Sequence, residues 1–598
     1  MSGKQLPSTK ASSDSGFRQE PPRLGNQYDE DPVLQNILKR LLPDTIMQEI
    51  EPDLKQLGNR AVTDIYAMGE DVEDPNNYPR LKQYDAWCRR VDEITVAQGW
   101  KDLNDVAAQE GLVSIAYERP YQEYSRIYQF AKSYLYSPSS ALYSCPLSMT
   151  DGAARVIEMY GTEEMKQTFY PRLISRDPKT FYTSGQWMTE RPGGSDVSRS
   201  ETQAELVDAK TNTWKISGFK WFSSATTADM TMLLARTIDP ATGLVQQGSR
   251  GLSLYIAKMR KPDGQLNGVR VHRLKDKYGT KGLPTAELEL DGMEAQMVGE
   301  PGRGVATIAS ILNITRIYAA IGVVCSLRRC LAIAKDFALK RQAGNRTLDQ
   351  IPLHITTLAR LELVFRAGAQ ISFYAVQLLG RTESLPENDP QRKEDMEVLR
   401  LLTPVAKAFV CRIGVDAISE TMEALGGQGY MEEIGIGKNL RNSQVNTIWE
   451  GTTNVLALDV LRVLQKSKGA ALETFAQVMN KKIATALSTS PTLLADAAKR
   501  IQSSMNATCA FVANTQDPVA VETSMRQVTF SLGRVVAATL LMEQAAWAIS
   551  TKNIGAEQDV LALNQWCQDS EFTKPLVAAN VDTILREAKM VFGPQAKI

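Results

Sequence analysis

Glu450 sits in residues 447–462, "TIWEGTTNVLALDVLR", between Trp449 and Gly451, just where an apolar helical pattern begins. A carboxylate with bulky apolar neighbours such as Ile448 and Trp449 is a candidate general base, because burial raises its pKa and strengthens its grip on a proton. The plainer reading is an acid in the first turn of a helix, where it complements the dipole by up to about 1 kcal/mol. The chain has only two histidines, His272 and His354. Histidine triads and multi-histidine metal sites are nearly excluded, so acid–base work falls to a carboxylate or another group, and no metal site is expected.

Three further stretches have the composition of ligand loops. In "QWMTERPGGSDVSRSET", residues 186–202, glycines permit close backbone approach and Thr189 and Ser195 supply hydroxyls. A surface turn uses the same residues. It is not a Rossmann fingerprint, since no preceding strand and following helix frame it. In "GFKWFSSAT", residues 218–226, Trp221 and Phe222 adjoin Ser223 and Ser224. The set suits the face and edge of a planar cofactor, or a strand with a buried aromatic pair. In "EALGGQGYMEE", residues 423–433, Gly426 and Gly427 follow a long helix, as a C-cap or as a backbone approach to a ligand.

The elements that must position these loops fall into successive textures. Residues 1–30 are polar and rich in Ser, Pro, Gln and Gly, and are expected to be disordered. Residues 31–179 read as a helical domain, including "RLKQYDAWCRRVDEITVAQGWKDLNDVAAQEG". Residues 180–300 read as a β domain built from "TWKISGFKWFSS", "DMTMLLART", "GLSLYIAKM", "GVRVHRLKD" and "TAELELDGM". Residues 301–464 read as a bundle of long apolar helices, and residues 465–598 as an alanine-rich helical extension. The apolar run "RIYAAIGVVCSLRRC" is broken by Arg316, Arg328 and Arg329, so a buried helix is expected rather than a membrane span.

Bulk properties narrow the function. The formal net charge of the 598 residues is zero, and from Lys466 onward 13 Lys+Arg face 11 Asp+Glu, too balanced for strong phosphate binding. Seven cysteines without a CxxC pair fit a reducing compartment, and Cys325 and Cys330 are expected in the core. The closing Ala596-Lys597-Ile598 is a variant of the SKL-type peroxisomal address, which makes the peroxisome the expected location and the cytoplasm the alternative.

Taken in order and spacing, these motifs resemble the acyl-CoA dehydrogenase family of flavoproteins. Thr189-Glu190-Arg191-Pro192-Gly193-Gly194-Ser195-Asp196 matches its TE-x-x-x-GSD loop, "GFKWFSS" its flavin strand, "GGQGY" its glycine loop and "IWEGT" its base segment. The branch that it resembles most is AidB-like, through "RLKDKYG", "IWEG" and the added C-terminal helical domain. The resemblance implies a mainly α fold with a central β domain: an N-terminal helical domain, a middle β-barrel or sandwich, a C-terminal bundle and the extension.

It also implies a reaction and residue roles. Glu450 would take the α-proton of an acyl-CoA thioester while hydride leaves the β-carbon for N5 of FAD. Gln186, Trp187, Met188, Thr189, Gly194, Ser195, Phe222, Ser223 and Ser224 would hold the flavin. Gly451, Thr452, Thr453 and Asn454 would face its phosphates and adenosine side. Arg341, Glu423, Leu425, Gly426 and Gly427 would bind the flavin of a neighbouring subunit in a homotetramer or homodimer. Ser195, Asn313, Arg316 and Arg462 would line the thioester and CoA path. The chain departs from the family in "RQAGN", which lacks a phenylalanine after Arg341, in Asn313, where the family has aspartate, and in a strand tryptophan displaced so that Phe222 takes its place. Electrons would pass to oxygen or to an electron-transfer flavoprotein. The alternative is a low-turnover AidB-like module that binds acyl-CoA or lipid or acts as a regulator, with nucleic acid the less favoured ligand.

Overall fold

The computed structural model describes residues 12–597. Its first region contains the helices Pro32–Leu41, Asp44–Arg60, Asp64–Glu73, Gln98–Gln109, Ser125–Tyr136 and Ser144–Tyr160. Asp31 caps the first of them, accepting the Leu34 N–H at 2.9 Å, with Pro32 at the first helical position. The same carboxylate accepts the Tyr134 hydroxyl at 2.7 Å and pairs with Arg328 at 3.1 Å.

That pairing corrects the expectation of disorder through residue 30 for residues 24–30; residues 1–11 lie outside the described residues. Gln27 and Tyr28 are 1% and 0% exposed. Arg328 donates to the Gln27 side chain and, at 2.8 Å, to its carbonyl. The arginines that interrupt the apolar run of the Gly304–Lys340 helix thus draw the N-terminal segment over themselves, because a buried guanidinium needs acceptors.

A second correction concerns residues 80–95, expected to be helical. They form an antiparallel hairpin of β1 (Arg80–Tyr84) and β2 (Arg90–Thr95). The Asp85 carboxylate accepts the N–H groups of Trp87 (2.8 Å) and Arg89 (2.9 Å), an Asx-type turn that outcompetes helix continuation.

The β unit comprises β3 (Ser184–Trp187), β4 (Gln203–Asp208), β5 (Thr213–Ser223), β6 (Met230–Thr237), β7 (Leu252–Lys258), β8 (Val269–Leu274) and β9 (Ala286–Val298). Neighbours run β3-β6-β4-β5-β9-β7, and β7 also pairs back onto β6, so β6, β4, β5, β9 and β7 close a ring. β3 adds to β6 in parallel, Gln186 opposite Met232, and β8 adds to β9. Closure leaves fewer exposed edges. Trp187, Trp214, Tyr255 and Leu288 belong to the core cluster of this unit. The hairpin docks on it: Asp92 accepts the Val271 N–H at 3.0 Å.

Gly304–Lys340, Pro352–Ser384 and Pro390–Ala424 pack on one another, and Ser144–Tyr160 packs on the first of them. The extension contributes Ala470–Thr489, Pro491–Asn514 and Pro518–Ser550, the last lying against Pro352–Ser384 and Pro390–Ala424. Gly533 allows that approach: a Cβ there would stand 2.5 Å from the Phe409 ring. Gly304–Lys340 and Pro518–Ser550 are long and apolar enough to cross a membrane, yet 67% and 78% of their most apolar windows are buried in the protein, as in core helices. Arg126 joins the regions through a buried cluster, donating to Asp151 (2.8 Å) and to Glu383 (2.7 Å) on the Pro352–Ser384 helix.

The architecture is the mainly α fold with a central β domain expected from the sequence. Residue 598, the last of the expected peroxisomal tripeptide, lies outside the described residues.

Candidate active site

Glu450 is not in the first turn of a helix. The helix is Thr453–Lys466, its cap is Thr452, and Glu450 precedes the cap with φ 58°. Left-handed backbone is costly for a residue with a Cβ, so surrounding contacts must hold it. Arg316 Nε donates to the Glu450 carbonyl (3.2 Å), and Arg316 is itself held by Asp459 at 2.7 Å. Lys407 Nζ donates to the Gly451 carbonyl at 2.5 Å. The dipole explanation fails with the geometry.

Glu450 keeps partial exposure as a residue while its carboxyl group points inward. Desolvation raises its pKa, opposed by a hydrogen bond from the Thr315 hydroxyl to Oε2 at 2.7 Å and by the charges of Arg316 and Lys407. Burial pushes the Lys407 ammonium, 1% exposed, down to about 8. The backbone N–H of Glu450 has no acceptor among the described residues, nor have those of Gly451, Thr452, Thr453 and Asn454. A run of free donors at a helix N-terminus suits an anion or a polarised oxygen.

The TERPGGSD loop and the GFKWFSS strand are locked together. Glu190 accepts Lys220 Nζ at 2.7 Å, both side chains being buried, and also the N–H of Glu201 (2.6 Å) and Thr202 (3.2 Å). Desolvation favours the neutral acid, but Lys220 and these donors hold the Glu190 pKa below the usual carboxylate range. The Trp221 N–H donates to the Thr189 carbonyl at 2.9 Å. β3 does precede this loop, contrary to expectation, although only the short 3-10 turn Val197–Arg199 follows.

Orphaned polar atoms lie in and beside these segments: Gln186 Oε1, Trp187 Nε1, Ser200 Oγ and Ser223 Oγ are buried without a hydrogen-bond partner among the described residues. Unpaired buried groups are costly, and the edge of a heteroaromatic ring would satisfy Gln186, which is half-buried at the start of the loop, whereas Trp187 faces the core of the β unit. Phe222, expected as half of a buried aromatic pair, is 50% exposed, with its ring edge-on to Trp221. Met188, Thr189 and Ser224 are half-buried, with Ser224 Oγ 2.7 Å from Thr285 Oγ1; Gly194 and Ser195 are exposed. These observations fit a flavin.

Other expected residues lie apart or have other partners. Glu423, Gly426 and Gly427 are exposed, Leu425 is buried, and a Cβ on either glycine would meet nothing within 4 Å. Tyr430 beyond them is 83% exposed, and Arg341 is exposed as well. Asn454 is engaged by Arg526 of the extension, whose Nη1 donates to Asn454 Oδ1 at 2.8 Å. Arg462 pairs with Asp459, so Arg316 and Arg462 share one carboxylate. Asn313 is half-buried on the Gly304–Lys340 helix, two residues from Thr315. Thr315, Lys407 and Asp459 were not singled out from sequence. The available signal was a lysine between apolar residues in "PVAKAFV".

Comparison with known proteins agrees with this geometry. Residues 302–465 match the acyl-CoA dehydrogenase C-terminal domain, 185–293 its middle domain, 19–178 the adaptive response protein AidB N-terminal domain, and 470–592 the acyl-CoA dehydrogenase 11 C-terminal domain-like family. Acyl-CoA dehydrogenase family member 11 of Caenorhabditis elegans is 39% identical over 565 residues, covering 92% of this chain and 89% of the relative. Putative acyl-CoA dehydrogenase AidB of Escherichia coli is 30% identical over 403 residues, covering 66% and 70%. The crystal structure of Caenorhabditis elegans ACDH-11 in complex with C11-CoA superposes with a TM-score of 0.90 at 36% identity, covering 98% of this chain and 99% of that one. The chain therefore belongs to the acyl-CoA dehydrogenase family, as an acyl-CoA oxidoreductase with an AidB-type N-terminal domain and an added C-terminal helical domain.

Proposed function

We propose that the protein introduces an α,β double bond into an acyl-CoA thioester, with Glu450 as the base. The observation that supports this most is the combination at one residue of a carboxyl group whose pKa is raised by burial and a free backbone N–H. FAD, when bound, supplies the acceptor for the β-hydride. Gln186 and Ser223 would satisfy its edge, Phe222 would cover its ring, and the N–H groups of Gly451–Asn454 would face its phosphates.

An α-C–H is too weakly acidic for a carboxylate in water. The Glu450 N–H would stabilise charge developing on the thioester oxygen, a contribution of roughly 3–4 kcal/mol for one such donor. Thr315 orients the accepting carboxylate, and Arg316 with Lys407 fixes the strained turn that presents it. Proton removal and oxyanion stabilisation thus come from one residue in one backbone conformation.

The exposed glycine loop, Tyr430 and Arg341 support assembly into a homodimer or homotetramer that covers them. Ala596-Lys597-Ile598 supports a peroxisomal address, checked by imaging a fluorescent fusion with and without the tripeptide. Anaerobic titration of the FAD-loaded protein with saturated acyl-CoAs tests the reaction: loss of flavin absorbance with formation of the enoyl-CoA is expected. Binding without bleaching across all chain lengths would instead indicate a sequestering module. Re-oxidation by oxygen with release of hydrogen peroxide, or by an electron-transfer flavoprotein, then identifies the acceptor.

A further inference from the structure

A cavity of about 330 Å³ lies between the Asp64–Glu73 helix, residues 137–142, the Gly304–Lys340 helix and residues 433–442. Arg329 lines it. That side chain is 3% exposed, yet no carboxylate among the described residues pairs with it. Its Nε donates to Gln27 Oε1 at 3.1 Å, and its Nη2 to Ser139 Oγ at 2.8 Å and to the Ala61 carbonyl at 3.4 Å. Its Nη1 has no acceptor among the described residues. The adjacent Arg328 takes Asp31.

A buried guanidinium without a counter-ion is costly, and the cost falls when an anion binds. None of the three acids that line the cavity pairs with Arg329: Glu70 pairs with Lys438 at 2.6 Å, Glu73 accepts Asn442 Nδ2 at 2.8 Å, and Glu433 is exposed. Burial and the charge of Arg328 lower the Arg329 pKa to about 10, so the group remains a cation at neutral pH. The rest of the wall is mixed: Leu24, Val62, Leu142, Ile333 and Ile434 form its apolar part, beside polar residues such as Tyr66 and Ser326. Arg329 follows Thr315 by fourteen residues on one helix, which at 1.5 Å per residue separates their backbone positions by about 21 Å. The cavity is therefore remote from the Glu450 carboxyl group.

We propose that this cavity is a second ligand site for a carboxylate-headed amphiphile of the free fatty-acid class, its carboxylate on Arg329 Nη1 and its chain on the apolar wall. A cation without a paired carboxylate beside an apolar strip of wall selects a charged head with a hydrocarbon tail over inorganic phosphate or an uncharged lipid.

The test is calorimetric titration of the FAD-loaded, full-length protein with dodecanoate and with dodecanol. Dodecanoate is expected to bind and dodecanol to bind far more weakly. Arg329→Gln is expected to weaken dodecanoate by about tenfold or more, while flavin bleaching by acyl-CoA, read separately, persists. Val62→Phe, which adds bulk at the cavity wall and keeps the arginine, is expected to weaken dodecanoate as well, and stands in should the arginine variant not fold. Failure of the wild type to bind dodecanoate, equal binding by Arg329→Gln, equal affinity for dodecanol, or one-for-one displacement of acyl-CoA by dodecanoate would each overturn the proposal. None of these outcomes depends on whether the flavin is bleached.

Discussion

Replacing Thr315 by valine keeps the side-chain shape and deletes the hydroxyl. In the wild type that hydroxyl lies 2.7 Å from Glu450 Oε2, closer than to the carbonyls of Ile311 (3.3 Å) and Leu312 (3.4 Å), so its single proton goes to the carboxylate. The bond favours the charged form and opposes the upward push of burial. Hydrogen bonds to charged groups contribute about 1.5–3 kcal/mol, and one pKa unit is 1.36 kcal/mol, so losing this one should raise the Glu450 pKa by roughly one to two units. A base works when deprotonated. The ascending limb of the rate of flavin reduction should therefore move to higher pH by that amount in Thr315→Val, with the plateau reached later. Anaerobic stopped-flow across pH, with one acyl-CoA at saturation, reads the limb directly. An unmoved limb, or one shifted to lower pH, would refute the assignment of Glu450 as the titrating base held by Thr315.

Other outcomes follow from the same contacts. Lys407→Met removes a cation beside Glu450 and leaves the Gly451 carbonyl without its donor; the limb should move in the same direction as in Thr315→Val, and unfolding should become easier by about 1–3 kcal/mol. Glu190→Gln leaves Lys220 buried without its carboxylate, which should cost about 3–5 kcal/mol in denaturant unfolding and weaken FAD retention through the loop that Glu190 braces. Arg126→Met strips Asp151 and Glu383 of their shared partner and should cost about 3–5 kcal/mol, read by urea denaturation. Burial favours neutral Glu383, but Arg126 and Arg155 pull its pKa below the usual range. Its contribution is thus present above the ordinary glutamate pKa of about 4.3 and is lost as pH falls through the folded-state value. The acid-side loss of stability should flatten in Arg126→Met.

The legible parts of the fold were those with sustained periodicity. Residues in β5 to β9 alternate or run β-branched between turn residues, and the long helices of the bundle repeat apolar positions over many turns. β1 and β2 were read as helix because "RLKQY" and "RVDEIT" are short and interrupted by charges, and only the Asp85 turn distinguishes them. Residues 24–30 were read as disordered because their composition is polar; what orders them is a pair of arginines some 300 residues away.

At the site, Glu450 and the glycine loops were legible as contiguous motifs. Their supports were not, since Thr315 and Lys407 reach Glu450 and Gly451 from other helices, 135 and 44 residues distant in sequence. The backbone of Glu450 itself was misplaced: an acid near a helix start looks the same whether inside the first turn or ahead of the cap, and only φ separates the two. Asn454 was read toward the cofactor, and the extension that supplies Arg526 gave no local sign of reaching it.

The most direct test is Glu450→Gln, which preserves side-chain size and removes the base. Anaerobic mixing of the FAD-loaded variant with an acyl-CoA that bleaches the wild type should show normal flavin content, bound acyl-CoA and no reduction of the flavin on the wild-type timescale. Reduction at the wild-type rate would contradict the account.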